Sequence, residues 1–135
     1  MAINDLPMLA ALRTKMQWHQ ERQRVLAENI SNSSTPNFRP RDLVDVQFDQ
    51  KGSSVGGATT LAMTRTTGSH MGSSGPEPTF KHDGGKSGFL TRPAGNAVNL
   101  EDQMLKVSAN QMDYAAATSL YSRSLGLIKT AIGKR

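Results

Sequence analysis

Between positions 100 and 132 the sequence sets Leu100, Met104, Val107, Gln111, Tyr114, Thr118, Tyr121, Leu125, Ile128 and Ile132 at alternating steps of four and three, without a break. An α-helix turns once every 3.6 residues, so a stripe repeating every 3.5 stays in register only if the helix winds left-handedly around a partner. This stretch commits the chain to a long helix that needs something to pack on. Its ends are marked. Asn99 has N-cap chemistry, Glu101 and Asp102 suit the positive end of the helix, and Asp102 stands three residues after the cap, where a capping-box partner belongs. Gly133 supplies a stop, with Lys129, Lys134 and Arg135 near the negative pole. At about 1.5 Å per residue the helix would be about 50 Å long.

A partner is present in the same chain. Leu9, Leu12, Met16, His19, Gln23, Leu26 and Ile30 follow the same alternation, with two polar residues in the middle of the seam. Ala11, Trp18 and Val25 widen the apolar stripe, while Arg13, Arg22, Arg24 and Glu28 fall largely on other faces. Asn4 or Asp5 is expected to cap this helix, with Pro7 inside the first turn, where a missing N–H costs little. Gln23, Gln111 and Thr118 interrupt the two seams. Such residues either fix register and partner choice or face solvent where the helices diverge.

The first helix has to stop before Pro36. Proline has no N–H, and its ring drives Thr35 out of the helical region, so the helix is expected to end by about Ser34. Replacing Pro36 with Ala should let it run on. Thr35-Pro36-Asn37-Phe38 then has turn chemistry of type I or type II, since Pro suits the first central position and Asn tolerates a left-handed backbone at the second. After the turn, residues 42–48 are short and rich in branched apolar residues, consistent with either an extended segment or a helical continuation. From 51 to 98 the character changes. Ten of the twelve glycines lie there, all but Gly126 and Gly133, together with many Ser and Thr residues and Pro76, Pro78 and Pro93. This is loop or short-strand territory, with Thr60 to Thr64 the best strand candidate.

Composition excludes several functions. Hydrophobic residues make up 36% of the chain and aromatic residues 5%, thin material for a core in 135 residues. The net charge is +5, but the basic residues are spread along the chain and interleaved with acids, unlike the clustered footprint of a nucleic-acid binder. There is no cysteine, so thiol, disulfide and zinc-thiolate chemistry are absent. No stretch approaches the ~20 apolar residues of a membrane span, and residues 1–12 do not resemble a cleavable signal peptide. Gly84-Gly85-Lys86-Ser87-Gly88 contains a phosphate-loop Gly-Lys-Ser, but Phe80 stands where that loop needs its first glycine. His19, His70 and His82 lack metal-ligand spacing, and His82-Asp83 reads as a solvated loop. Asn29-Ile30-Ser31 and Asn32-Ser33-Ser34 fit the glycosylation triplet, but their place at a helix end explains them sufficiently. No catalytic, metal or cofactor constellation emerges.

Two stretches carry a resemblance. Leu26-Ala27-Glu28-Asn29-Ile30-Ser31-Asn32-Ser33-Ser34-Thr35-Pro36-Asn37-Phe38-Arg39 is similar to the N-terminal signature of bacterial flagellar axial proteins, Leu-Ala-Asn-Asn-Ile-Ala-Asn followed by Thr-Pro-Gly-Tyr and a basic residue. Ala27, Asn29, Ile30, Asn32, Thr35 and Pro36 match, whereas Glu28, Ser31, Asn37 and Phe38 depart. Asn37 keeps access to a left-handed backbone and Phe38 loses only a hydroxyl, so the turn should survive. Gly95-Asn96-Ala97-Val98-Asn99-Leu100-Glu101-Asp102-Gln103-Met104 is similar to the Gly-Asn-x-Val-x-Leu-Glu-x-Glu-Met of proximal rod proteins, with Gln103 in place of Glu. Asn110-Gln111-Met112-Asp113-Tyr114 and the Leu-Ile-Lys-Thr-Ala-Ile ending at Ile132 look like the FlgB type, and residues 64–71 echo it faintly.

The expected fold is mainly α, with two long terminal helices packing as a coiled-coil-like pair and a Gly/Ser/Thr-rich irregular middle able to hold short strands. Its parts are an N-terminal axial helix (1–34), a Pro turn and extended segment (35–50), a Gly-rich outer region (51–98) and a C-terminal axial helix (99–135). The resemblance implies a non-enzymatic subunit of the flagellar proximal rod, without cofactor, exported by the flagellar type III apparatus and polymerised in the periplasm as part of the drive shaft. It implies as partners copies of the chain, homologous rod subunits, the rod adaptor protein and the membrane ring or export gate at the rod base, with neither nucleic acid nor a direct membrane span. A helical adaptor that binds one partner helix is the alternative.

Overall fold

The computed structural model describes residues 6–49, 54–55, 80–83 and 95–133. Two helices dominate them, α1 (Pro7–Ser31) of 25 residues and α2 (Leu100–Ala131) of 32. They pack against each other within the chain. The pair is antiparallel, since His19 meets Asn110 while Asn29, ten residues later on α1, meets Gln103.

Among the described residues, four two-residue strands lie between the helices in sequence. β1 (Asp42–Leu43) pairs antiparallel with β4 (His82–Asp83), matching Asp42 to Asp83 and Leu43 to His82. Next to this pair, Val44 donates its N–H to Lys81 O at 2.9 Å. β2 (Gln47–Phe48) pairs with β3 (Ser54–Val55). Residues 42–48 are thus extended rather than helical. The strand candidate at residues 60–64, the Gly84 to Gly88 stretch, the 64–71 patch and most of 51–98 lie outside the described residues.

α1 buries two sides. On one, Trp18 and Val25 form a small core with Leu43, against which the half-buried Val46 and Phe80 pack. The Trp18 indole N–H, which burial would otherwise leave unpaired, donates to Val44 O at 2.9 Å. On the side facing α2, Leu9, His19 and Leu26 are buried and Leu12, Met16, Gln23 and Ile30 half-buried, the positions expected from the seam.

The seam of α2 is rotated from its expected line. Leu100, Val107, Tyr114, Tyr121, Leu125 and Ile128 are half-buried, but Met104, Gln111, Thr118 and Ile132 are exposed. The fully buried positions are Gln103, Asn110 and Ala117, each one residue earlier than an expected seam position. Hydrogen bonds explain the offset. Gln103 bonds Asn29, and Asn110 bonds His19 and Gln23, so α2 turns its amides toward α1 and carries its apolar neighbours outward.

The termini also differ in detail. α1 begins after Leu6 with Pro7 in its first turn, and no side chain caps it; Asn4 and Asp5 lie outside the described residues. Asn99 caps α2 as expected, its Oδ1 accepting from Glu101 N at 3.1 Å. Asp102 does not complete a capping box. It pairs instead with Lys106 one turn on, at 3.3 Å. Gly133, at φ +79°, follows the last helical turn.

One carboxylate joins three elements. Asp42 accepts two bonds from the Arg22 guanidinium on α1, at 2.9 and 3.1 Å, one from Leu43 N at 2.9 Å, and lies 3.6 Å from Lys106 Nζ on α2. Burial pushes its carboxyl up, but the Arg22 and Leu43 hydrogen bonds and the Arg22 and Lys106 charges outweigh burial and hold it below its ordinary value. A carboxyl depressed in the folded state stabilises the fold above its unfolded pKa of about 3.9, and that contribution is lost as the pH falls through the folded value. Asp42→Asn should therefore cost about 2 kcal/mol at pH 7. In urea melts the gap from the parent should narrow as the pH drops below about 4.

Candidate functional site

The residues that carry the family resemblance meet at the end of α1. The helix stops at Ser31, inside the expected limit of about Ser34 and short of Pro36. Its last carbonyls are satisfied locally. Glu28 O accepts the Asn32 N–H at 3.1 Å, the Asn32 side-chain amide at 2.9 Å and the Ser31 hydroxyl at 2.9 Å. Ser33 N–H bonds Ile30 O and Thr35 N–H bonds Asn32 O, tightening the chain into turns. Phe38 N–H then closes on Thr35 O at 3.4 Å, with Asn37 at φ +59°. A positive φ at that position selects type II of the two turns considered.

The segment before α2 holds this corner in place. Asn96, 3% exposed, donates its side-chain amide to Asn32 O at 3.0 Å and Thr35 O at 2.7 Å, while its Oδ1 accepts from Val98 N at 2.7 Å. Ala97 N–H adds a bond to Phe38 O at 3.1 Å. Gly95 sits at φ +78°, and a Cβ there would run into Asn37 Oδ1. The left-handed backbone favours glycine, and a Cβ there would also make the exposed Asn37 side chain swing aside. α1 thus ends before the limit that Pro36 sets, its last carbonyls taken by the Ser31 and Asn32 side chains and the following turns held by Asn96. With residues 32–35 already held by Asn96, Pro36→Ala has no free helix end to extend.

Asn29 does similar work one turn earlier. Its amide donates to Arg41 O at 2.6 Å and to Gln103 Oε1 at 3.0 Å, and its Oδ1 accepts from Arg41 N at 3.0 Å. A side chain that both gives to and takes from one residue's backbone imitates a strand neighbour. It fixes the chain leaving the corner against α1 and ties both to α2. Farther along the pair, Asn110 donates to His19 O at 2.9 Å and Gln23 Oε1 at 3.1 Å. Its Oδ1 thus faces His19 Nδ1, 2.8 Å away, and that nitrogen carries the proton. Among the described residues no buried side-chain nitrogen or oxygen lacks a partner.

Of the expected turn residues, the structure brings Asn29, Asn32, Thr35 and Phe38 into this network, with Ile30 half-buried on the seam and Pro36 and Asn37 exposed on the turn. Of the polar seam residues, Gln23 fixes register through Asn110. Gln111 and Thr118 face outward, the Thr118 hydroxyl bonding Tyr114 O at 2.9 Å. Sequence reasoning gave Ala117 no role, and gave Asn110 and Gln103 none in the helix interface beyond their part in the resemblance. Their signal was the seven-residue spacing of positions 103, 110 and 117, invisible to a search for apolar stripes. His19, Gln20, Gln23, Asn110, Gln111 and Tyr114 line a cleft of about 430 Å³ at the helix junction.

Chemically, the corner can orient; it presents hydrogen-bonded carboxamides and backbone. Among the described residues no group of His, Cys, Asp or Glu could hold a metal ion, and no helix is long and apolar enough to cross a membrane. No known protein family matches the chain, and no curated protein matches it either.

Asn96→Ala removes three hydrogen bonds and leaves the buried Val98 N–H without its partner, while Asn32 O and Thr35 O keep the Thr35 and Phe38 N–H groups, so it should cost about 3 kcal/mol in urea unfolding. Asn99→Ala, which removes one exposed cap, should cost only about 1 kcal/mol.

Proposed function

We propose that this chain is a structural subunit of the bacterial flagellar proximal rod, polymerising through its terminal helices into part of the drive shaft that carries torque across the periplasm. The observation that supports this most is the contact between the two stretches that resemble axial proteins. The Asn32 to Phe38 turn and the Gly95 to Val98 segment form one hydrogen-bonded unit, through Asn96 and Ala97. Motifs 60 residues apart in sequence thus serve one mechanical purpose, fixing the angle at which the outer part of the subunit leaves the helix pair.

In this reading the protein is not an enzyme. It is delivered by the flagellar type III apparatus, and its neighbours are copies of itself, homologous rod subunits, the rod adaptor and the ring or export gate at the base. The large exposed side chains of α2, Met104, Leu105, Met112, Leu120 and Leu127, suit a helix that gains neighbours on assembly. They suit a helical adaptor as well. The adaptor reading requires a discrete complex of fixed stoichiometry, whereas a rod subunit takes a place in a helical array.

Deleting the gene and imaging basal bodies separates the two. A rod subunit leaves an intact inner ring with the rod missing; a complete rod in the deletion strain would refute the assignment. Complementation with Gly95→Ala strains the left-handed backbone that leads from the corner into α2 while leaving both helix seams intact, so swimming in soft agar should be impaired even though the purified variant keeps its helicity. Wild-type swimming by that variant would remove the corner from its mechanical role.

A further inference from the structure

The helix junction leaves one ring nitrogen of His19 without a bond. His19 is 2% exposed, and its Nδ1–H is fixed on Asn110 Oδ1, because the Asn110 amide nitrogen is committed to His19 O and Gln23 Oε1. Nε2 therefore presents a lone pair. Nothing among the described residues bonds it, yet no buried side-chain nitrogen or oxygen among them lacks a partner. Nε2 is thus not sealed in. Its opening is the cleft of about 430 Å³ between α1 and α2, which His19 lines with Gln20, Gln23, Asn110, Gln111 and Tyr114.

The walls set donors around that acceptor. Gln23 gives its carbonyl oxygen to Asn110 and keeps its amide nitrogen for another partner. Gln20 spans the rim, donating to the Tyr114 hydroxyl oxygen at 3.1 Å, which leaves the phenol proton to point elsewhere. Gln111 stands exposed on the α2 side. The lining carries no carboxylate, ammonium or guanidinium.

This chemistry selects among ligands. A carboxylate or phosphate would meet a lone pair and no cation, and an ammonium would find no anion. An apolar molecule would leave the amides and Nε2 unpaired. A hydroxyl both donates and accepts, so neighbouring hydroxyls on one ring can give a proton to Nε2 and oxygens to the amides, while the ring's C–H face lies on the amphipathic Tyr114. The volume falls near the lower end of the roughly 300–1,000 Å³ typical of small-molecule sites. We infer that this cleft binds a small uncharged polyhydroxyl ring, a mono- or disaccharide, with His19 Nε2 accepting from one of its hydroxyls. The cleft belongs to the folded chain, so the inference stands apart from the rod assignment.

Glucose and maltose are the probes, with gluconate and glutamine as the charged and carboxamide counterparts. In proton–nitrogen correlation spectra of the full chain at mildly alkaline pH, the His19 ring should show the Nδ1–H tautomer. Glucose or maltose should shift its Nε2 signal saturably, with a dissociation constant on the order of millimolar; gluconate and glutamine should not. Combining Gln20→Ala with Gln111→Ala changes two exposed positions, so circular dichroism should stay the same while binding weakens at least about threefold. Met112→Ala, exposed and outside the cleft, should bind as the parent does. An Nε2–H tautomer, no saturable shift from either sugar, an equal shift from gluconate or glutamine, or undiminished binding by the double variant would each overturn the inference.

Discussion

Asn29, Asn96 and Asn110 are almost fully enclosed, and each spends both ends of its carboxamide on hydrogen bonds to segments distant in sequence or next to it. A carboxamide suits this place because it donates and accepts without carrying a charge that burial would penalise. The helix end, the turn and the approach to α2 all rest on these bonds. An apolar replacement of the same size would fill the space and leave carbonyls and N–H groups unpaired. That asymmetry, a modest gain when made and a large loss when broken, is what gives the corner a defined geometry.

The apolar contribution is small by comparison. The core around Trp18, Val25 and Leu43 occupies one side of α1, and the junction between the helices is built as much from Gln103, Asn110, His19 and Gln23 as from Leu9, Leu26 and Ala117. Polar junctions fix register more sharply than they stabilise. A chain so built holds its shape through directional bonds and leaves Leu105, Met112, Leu120 and Leu127 exposed on α2. In the proposed rod the interior would set angles and the exposed face of α2 would meet neighbours.

The long helices, the Asn99 cap, the Gly133 stop and the left-handed backbone at Asn37 were all legible in the sequence, because each follows from local chemistry. The rotation of α2 by one residue was not. Periodicity in apolar residues put Met104, Gln111 and Thr118 inward, and only the three-dimensional pairing of Asn110 with His19 and Gln103 with Asn29 turns the helix the other way. The contact that holds the turn after α1 was hidden for a similar reason. Pro36 is conspicuous, but the bonds that hold the turn come from Asn96, 60 residues beyond it, and their pairing is set by the fold. The resemblance to axial proteins pointed at both stretches without saying that they touch.

Electron cryomicroscopy of purified flagellar basal bodies from cells producing this chain tests the central claim most directly. The account predicts density in the proximal rod for antiparallel α1 and α2, joined at the Asn29, Asn32 and Asn96 corner, in every copy of the subunit. A fully occupied proximal rod with no subunit that fits this helix pair and corner would contradict it.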